Sequence, residues 1–238
     1  MGIPVLIAGE SGSGKTYSIK NLNPEDVGIF LCEKNRLPFR KQFPAYKVRN
    51  MKTEDDKIIR QSAVIQTMLR NPQKPKKIYI IDDSQYIMAN EFFDRASEQG
   101  FQKFTDIGCN FRNLIHLVNN ELPDDVIVYF LHHPETDSNT GKLKAKTIGK
   151  LLDEKLTLEG CFDIVLFCRT DGQEHWFQTQ SDGTNTAKSP EEMFEEKIPN
   201  DLAIVDATIR DYYGLAPLNK KEKTSSWMSF LSGGRGGT

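Results

Sequence analysis

"GESGSGKT", residues 9–16, follows the apolar run Ile3 to Ala8 and opens a helical pattern beginning near Lys15. The spacing G-x-x-x-x-G-K-[ST] is complete in Gly9, Gly14, Lys15 and Thr16. Glycines at 9, 12 and 14 let backbone N–H groups turn toward phosphate oxygens, and the N-terminus of the following helix adds a favourable dipole. A lysine at position 15 has the length to reach terminal phosphates, and the Thr16 hydroxyl is a magnesium ligand. A strand that feeds such a loop and then a helix is the opening unit of an α/β sheet.

The set predicted to hold the nucleotide is therefore Gly9, Glu10, Ser11, Gly12, Ser13, Gly14, Lys15, Thr16 and Tyr17, with ATP and Mg2+ as the expected ligands. A loop of this kind needs a second magnesium group at the end of another strand, and "KKIYIIDDS" offers Asp82 after four apolar residues, with Asp83 just beyond. Hydrolysis further requires a group that orients or deprotonates water. Two carboxylates compete: Asp83, and Glu33 at the end of "VGIFLCE". Parallel strands present their C-terminal ends to one crevice, which favours Glu33. The strand "VIVYFLHH" ends in His132 and His133, of which His132 is the preferred sensor of the terminal phosphate.

The other strand candidates are Val27 to Cys32, Lys77 to Ile81, Val126 to Leu131 and Asp163 to Cys168, with a hairpin around His175 to Thr179. Most are apolar throughout, the pattern of strands buried on both faces of a parallel sheet. A helix is expected over about Glu54 to Leu69, with Thr53 as N-cap. A second helical region spans about Ser84 to Asn120, broken near Gly100, and residues Pro134 to Lys146 read as a surface loop. From about Pro217 the chain turns polar and then glycine-rich, so the division is residues 1–216 as one α/β domain and 217–238 as a tail expected to be disordered. Within it Trp227, Met228, Phe230 and Leu231 form an apolar cluster that is a candidate partner-docking segment.

Among 238 residues, 31 lysines and arginines balance 33 aspartates and glutamates, so any nucleic-acid contact must come from a local patch. Four cysteines, Cys32, Cys109, Cys161 and Cys168, show neither disulfide nor zinc spacing and are expected to be reduced and mostly buried. No apolar run approaches the ~20 residues of a membrane span, and no signal peptide is evident, so a cytoplasmic protein without membrane contact is expected.

The order "GESGSGKT", "GIFLCE", "IYIIDD", "VIVYFLHH" resembles the RecA-type P-loop ATPase core, and more narrowly the minimal RecA-like ATPases of bacteriophages, a group that includes single-strand annealing recombination proteins. The resemblance covers about residues 3–213. It implies a DNA-stimulated ATPase in a bacterial host cytoplasm and a mainly parallel sheet with the sensor strand between the P-loop strand and the Asp82 strand. It also implies catalysis by Glu33, with His132 where a polar amide is usual. The loop from Pro134 to Lys150 takes the position of a DNA-contacting loop, making Lys142, Lys144, Lys146 and Lys150 candidate phosphate contacts. Such sites are commonly completed by a basic residue from a neighbouring subunit, for which Lys188 and the weaker Arg169 are available, so a homo-oligomer is expected. Only Met1 and Gly2 precede the first strand, so strand exchange by a long filament is not expected, and annealing, ring formation or service to another replication protein is left open.

Two other classes compete. One is a nucleotide-dependent switch that binds other proteins without acting on DNA. The other is a small-molecule or nucleotide kinase, which needs arginines in a lid, whereas the long central loop carries lysines and no arginine.

Overall fold

The fold is that of a computed structural model describing residues 1–33, 36–55, 57–148 and 157–218. Uninterrupted apolar runs form its central strands: β1 (Ile3–Ala8), β2 (Val27–Leu31), β6 (Ile78–Asp82), β7 (Ile127–His132) and β10 (Ile164–Thr170). Three short strands, β3 (Ala45–Lys47), β11 (His175–Gln178) and β12 (Lys197–Pro199), complete one eight-stranded sheet in the order β12-β11-β10-β1-β7-β6-β2-β3. All pairs from β10 to β3 are parallel, and β11 and β12 join antiparallel. The strand of His132 thus lies between the P-loop strand and the Asp82 strand.

Alternation along each strand divides the core. Leu6, Phe30, Val128 and Phe130 face α1 (Gln61–Arg70), α2 (Gln85–Asp94) and α3 (Gln102–Glu121), whose Ile65, Met88, Phe111 and Leu114 cover them. Val5, Ile7, Ile29 and Leu131 face the opposite layer, made of the short 3-10 helix Thr16–Asn21 and α4 (Leu202–Tyr212). The last helix was not anticipated, although Leu202, Val205 and Ile209 keep one face and Asp201 caps it by accepting from the Ala203 N–H at 2.9 Å. With both faces of the strands buried, the candidate acids and loops lie at the strands' C-terminal ends.

Two expectations are corrected. The helix expected from Glu54 begins at Gln61, because β4 (Met51–Lys52) and β5 (Ile58–Ile59) pair as a hairpin instead. Thr53 serves that hairpin rather than a helix, its backbone N–H donating to the Lys57 carbonyl at 2.8 Å and its hydroxyl accepting from the Lys57 N–H at 3.1 Å. Asn50 takes over the capping role, its Oδ1 accepting from the Gln61 N–H at 2.6 Å. The segment expected as an irregular loop is a second hairpin, β8 (Pro134–Thr136) against β9 (Leu143–Ala145). Its turn is closed by the Asp137 carboxylate, which accepts from the N–H groups of Asn139 and Thr140, both at 2.9 Å. Those bonds pull the Asp137 carboxyl down to about 2.

All four cysteines are thiols: Cys32 and Cys168 are buried, Cys161 is half-buried, and Cys109 is exposed. Among the described residues, no helix is long and apolar enough to cross a membrane. Lys150 and the cluster Trp227, Met228, Phe230 and Leu231 lie outside the described residues.

Candidate phosphate-binding site

Residues Glu10 to Tyr17 wrap one side of a cavity of about 580 Å³ whose other walls include Arg36, Pro38, His133 and His175. The loop is held from behind. His175 Nδ1–H donates to the Ser13 carbonyl at 2.7 Å, Asn200 Nδ2 to the Gly14 carbonyl at 3.2 Å, and the Cys168 thiol to the Ser13 carbonyl at 2.9 Å. Burial pushes that thiol up to about 11, so it stays protonated and donates. These ties hold the Ser13 and Gly14 carbonyls from behind, while the N–H groups of Gly9 and Ser13 donate to the His132 carbonyl at 3.1 Å and the Glu10 carbonyl at 3.2 Å.

Two glycines are required by this packing. Gly14 has φ +101, and a Cβ there would run into Asn200 Nδ2. A Cβ on Gly9 would lie 2.6 Å from Ser13 Oγ and 2.9 Å from Cys168 Cβ. The buried Ser13 hydroxyl has no hydrogen-bond partner among the described residues. A cradle that excludes side chains and keeps a polar hydroxyl in reserve fits a phosphate group.

Lys15 is buried, its ammonium donating to the carbonyls of Gly9 at 2.5 Å and Glu10 at 2.9 Å, so the charge is folded over the cradle. Thr16 Oγ1 donates to Asp82 Oδ1 at 2.8 Å, in a buried contact. These two oxygens come from residues 66 positions apart, and a hydroxyl beside a carboxylate is the hard-oxygen pair that magnesium takes. The residues fit the ion.

Asp83 is buried, and its backbone is left-handed at φ 59, a conformation uncommon for any residue with a Cβ. That twist separates it from Asp82 and brings its Oδ1 to 3.3 Å from His133 Nε2. His133 lines the loop cavity, and the buried Asp83 stands behind it. Glu33 is exposed and lines the neighbouring cleft with Arg49, Asn50 and Asp94, while its carbonyl accepts from Arg49 at 2.7 Å. It does not line the loop cavity.

His132 faces away from the cavity. Its Nε2 meets the Lys146 carbonyl at 2.7 Å and its Nδ1 meets Ser84 Oγ at 2.8 Å, with the Phe111 ring 5.8 Å away. A carbonyl only accepts, so Nε2 carries the proton and Nδ1 accepts from the serine hydroxyl. Burial lowers its pKa to about 4 and keeps the ring neutral. His132 therefore ties the turn after Asp82 to the β8–β9 hairpin.

In that hairpin Lys142, Lys144 and Lys146 alternate with Leu143 and the buried Ala145, so the lysines share the outer face. Lys144 is 3.3 Å from Asp137 and 4.0 Å from Glu135, whereas Lys142 and Lys146 are exposed. Arg169 donates to Gln178 at 3.1 Å and to Thr184 at 3.0 Å, which commits it to its own hairpin region. The backbone of Lys188 pairs with Val165, which lies level with Leu6, two residues before the end of β1; Lys188 does not line the loop cavity. Of the two histidines offered by the sequence, the less favoured His133 is the one that lines the cavity; His175 and Asn200 were not singled out, and nothing in the spacing of residues 175 and 200 signals contact with residues 13 and 14. Neither a protein-family model nor a curated protein matches the chain.

Proposed function

We propose that this chain is a magnesium-dependent, ATP-hydrolysing P-loop protein of RecA type that acts on single-stranded DNA, in the manner of phage annealing or recombination ATPases. The observation that carries the reading is the buried 2.8 Å bond from Thr16 to Asp82, which joins the loop hydroxyl to the carboxylate of a different strand. The strand order, with β7 between β1 and β6, supports the same reading.

In this mechanism residues 9–16, with Lys15, would hold the phosphates, and Thr16 and Asp82 would hold magnesium, which would supply charge neutralisation at the phosphate oxygens. Water would attack the terminal phosphorus, the bond to the leaving diphosphate would break, and the water proton would pass to His133 on the cavity wall, which the buried Asp83 backs at 3.3 Å. The geometry supports this pair over Glu33, whose side chain opens onto the adjacent cleft. His132 then couples the turn after Asp82 to the lysine hairpin through Ser84 and the Lys146 carbonyl. Lysines two residues apart on a strand stand roughly 7 Å apart, so Lys142, Lys144 and Lys146 offer a row of charges to a phosphate backbone.

A specific observation favours a second reading, a nucleotide-dependent switch directed at proteins: the ion pairs of Lys144 with Asp137 and Glu135 dilute the hairpin's positive charge. ATP turnover with magnesium, with and without single-stranded DNA, separates the two. Stimulation by DNA is expected, and its apparent affinity should fall with log salt at a slope of about −2, from roughly −0.7 per phosphate for three lysines. Turnover indifferent to DNA would leave the switch, and absence of both ATP binding and turnover would sink the P-loop assignment.

A further inference from the structure

The loop cavity has a wall that phosphate chemistry does not use. Tyr17 follows directly on buried Lys15 and Thr16, yet its ring is 46 % exposed and lines the same cavity. The ring is held in place. Lys20 Nζ donates to its hydroxyl at 2.7 Å and lies 4.8 Å from the ring centroid. Phe39 meets it edge-on at 6.5 Å and 73°, and is itself braced by Phe43 at 5.7 Å. Pro38, beside Phe39 in the chain, also lines the cavity.

An ordered aromatic ring half open to a phosphate cavity is a stacking surface. Every nucleobase has a π face, so stacking on such a ring is tolerant of base identity. Because the ring is already fixed, covering it costs little further side-chain entropy. We infer that Tyr17 is the base platform of this site: the nucleobase of a nucleoside triphosphate lies against its exposed ring while the phosphates occupy residues 9–16. The platform distinguishes a nucleotide from an inorganic polyphosphate rather than one base from another. This inference rests on the reading of residues 9–16 as a phosphate cradle.

Calorimetric binding of ATP and of inorganic tripolyphosphate, each with magnesium, to the full chain tests it. Tyr17→Ala should weaken ATP by roughly ten- to hundredfold and leave tripolyphosphate within about threefold, as expected for loss of one stacked base. Tyr17→Phe, which keeps the ring and loses the Lys20 bond, should hold ATP near the wild-type affinity. Thermal melting of each variant checks that the fold is intact. If Tyr17→Ala binds ATP as wild type does, or loses both ligands equally, the platform is refuted while the cradle stands. If wild type binds neither ligand, the cradle reading fails and the platform with it.

Discussion

Replacing His132 with glutamine should change how stability depends on pH. The imidazole is fully buried between Ser84, the Lys146 carbonyl and Phe111, with His133, Lys15 and Asp83 as the charged or titratable groups felt there. Its pKa is about 4, against 6.5 in an exposed histidine. Above pH 6.5 the ring is neutral in both states, and its network contributes in full. As pH falls from 6.5 toward 4 the unfolded chain takes up a proton that the folded one refuses, so stability is lost. Linkage gives about 2 kcal/mol lost by pH 5 and about 3 kcal/mol once the pH is below 4. Carboxylates titrate over part of this range, so the measurement is a difference. Urea denaturation of wild type and His132→Gln between pH 5 and 7.5 should show the wild type losing about 2 kcal/mol more than the variant. The amide can accept from Ser84 and donate to the Lys146 carbonyl without titrating, which keeps the variant folded. Parallel pH profiles for the two proteins would refute the buried neutral histidine. If His132 also couples the phosphate site to the hairpin, the variant should keep basal ATP turnover and alter DNA stimulation.

Gly14→Ala and Gly12→Ala both place a Cβ at positive φ, but only the first also meets Asn200 and His175. Denaturant titration should therefore show about 1–3 kcal/mol lost at Gly12, and about 1 kcal/mol more at Gly14 through the lost Asn200 bond; equal losses would refute the packing argument. Asp83→Asn should retain ATP while turnover falls at least about a hundredfold, and Glu33→Gln should stay within about tenfold, measured as steady-state phosphate release. The opposite ranking would return water activation to Glu33.

Much of the central sheet was legible because its strands are buried on both faces and so read as uninterrupted apolar runs; Ile3 to Ala8 and Ile78 to Asp82 are the clearest. The Thr16–Asp82 pair was legible for the same reason, since each residue ends or follows such a run. What escaped depended on contacts across sequence. Glu54 to Ile59 carries acidic and apolar residues that suit a first helical turn, yet Asn50 caps Gln61 through space and the preceding residues pair as strands. The turn chemistry of "DSNTG" in residues 137–141 was present to be read, but three-residue strands on either side give too short an alternation to stand out. His132 and His133 are adjacent on a strand and so point to opposite sides, and the sequence does not say which side holds the phosphate cradle.

The ties behind the phosphate loop have a consequence for synthesis. Residues 13 and 14 are anchored by Cys168, His175 and Asn200, across separations of 155, 162 and 186 residues. Domains fold N-terminal first as they emerge, but here the first loop to leave the ribosome is among the last to be finished. Until the polypeptide has been made past about Asn200, this set of ties behind Ser13 and Gly14 is incomplete, with the Gly14 carbonyl held only by the Ser18 N–H nearby in sequence. Nucleotide capture by a nascent chain would therefore report that nearly the whole domain has assembled, and ligand binding would stabilise only the completed product.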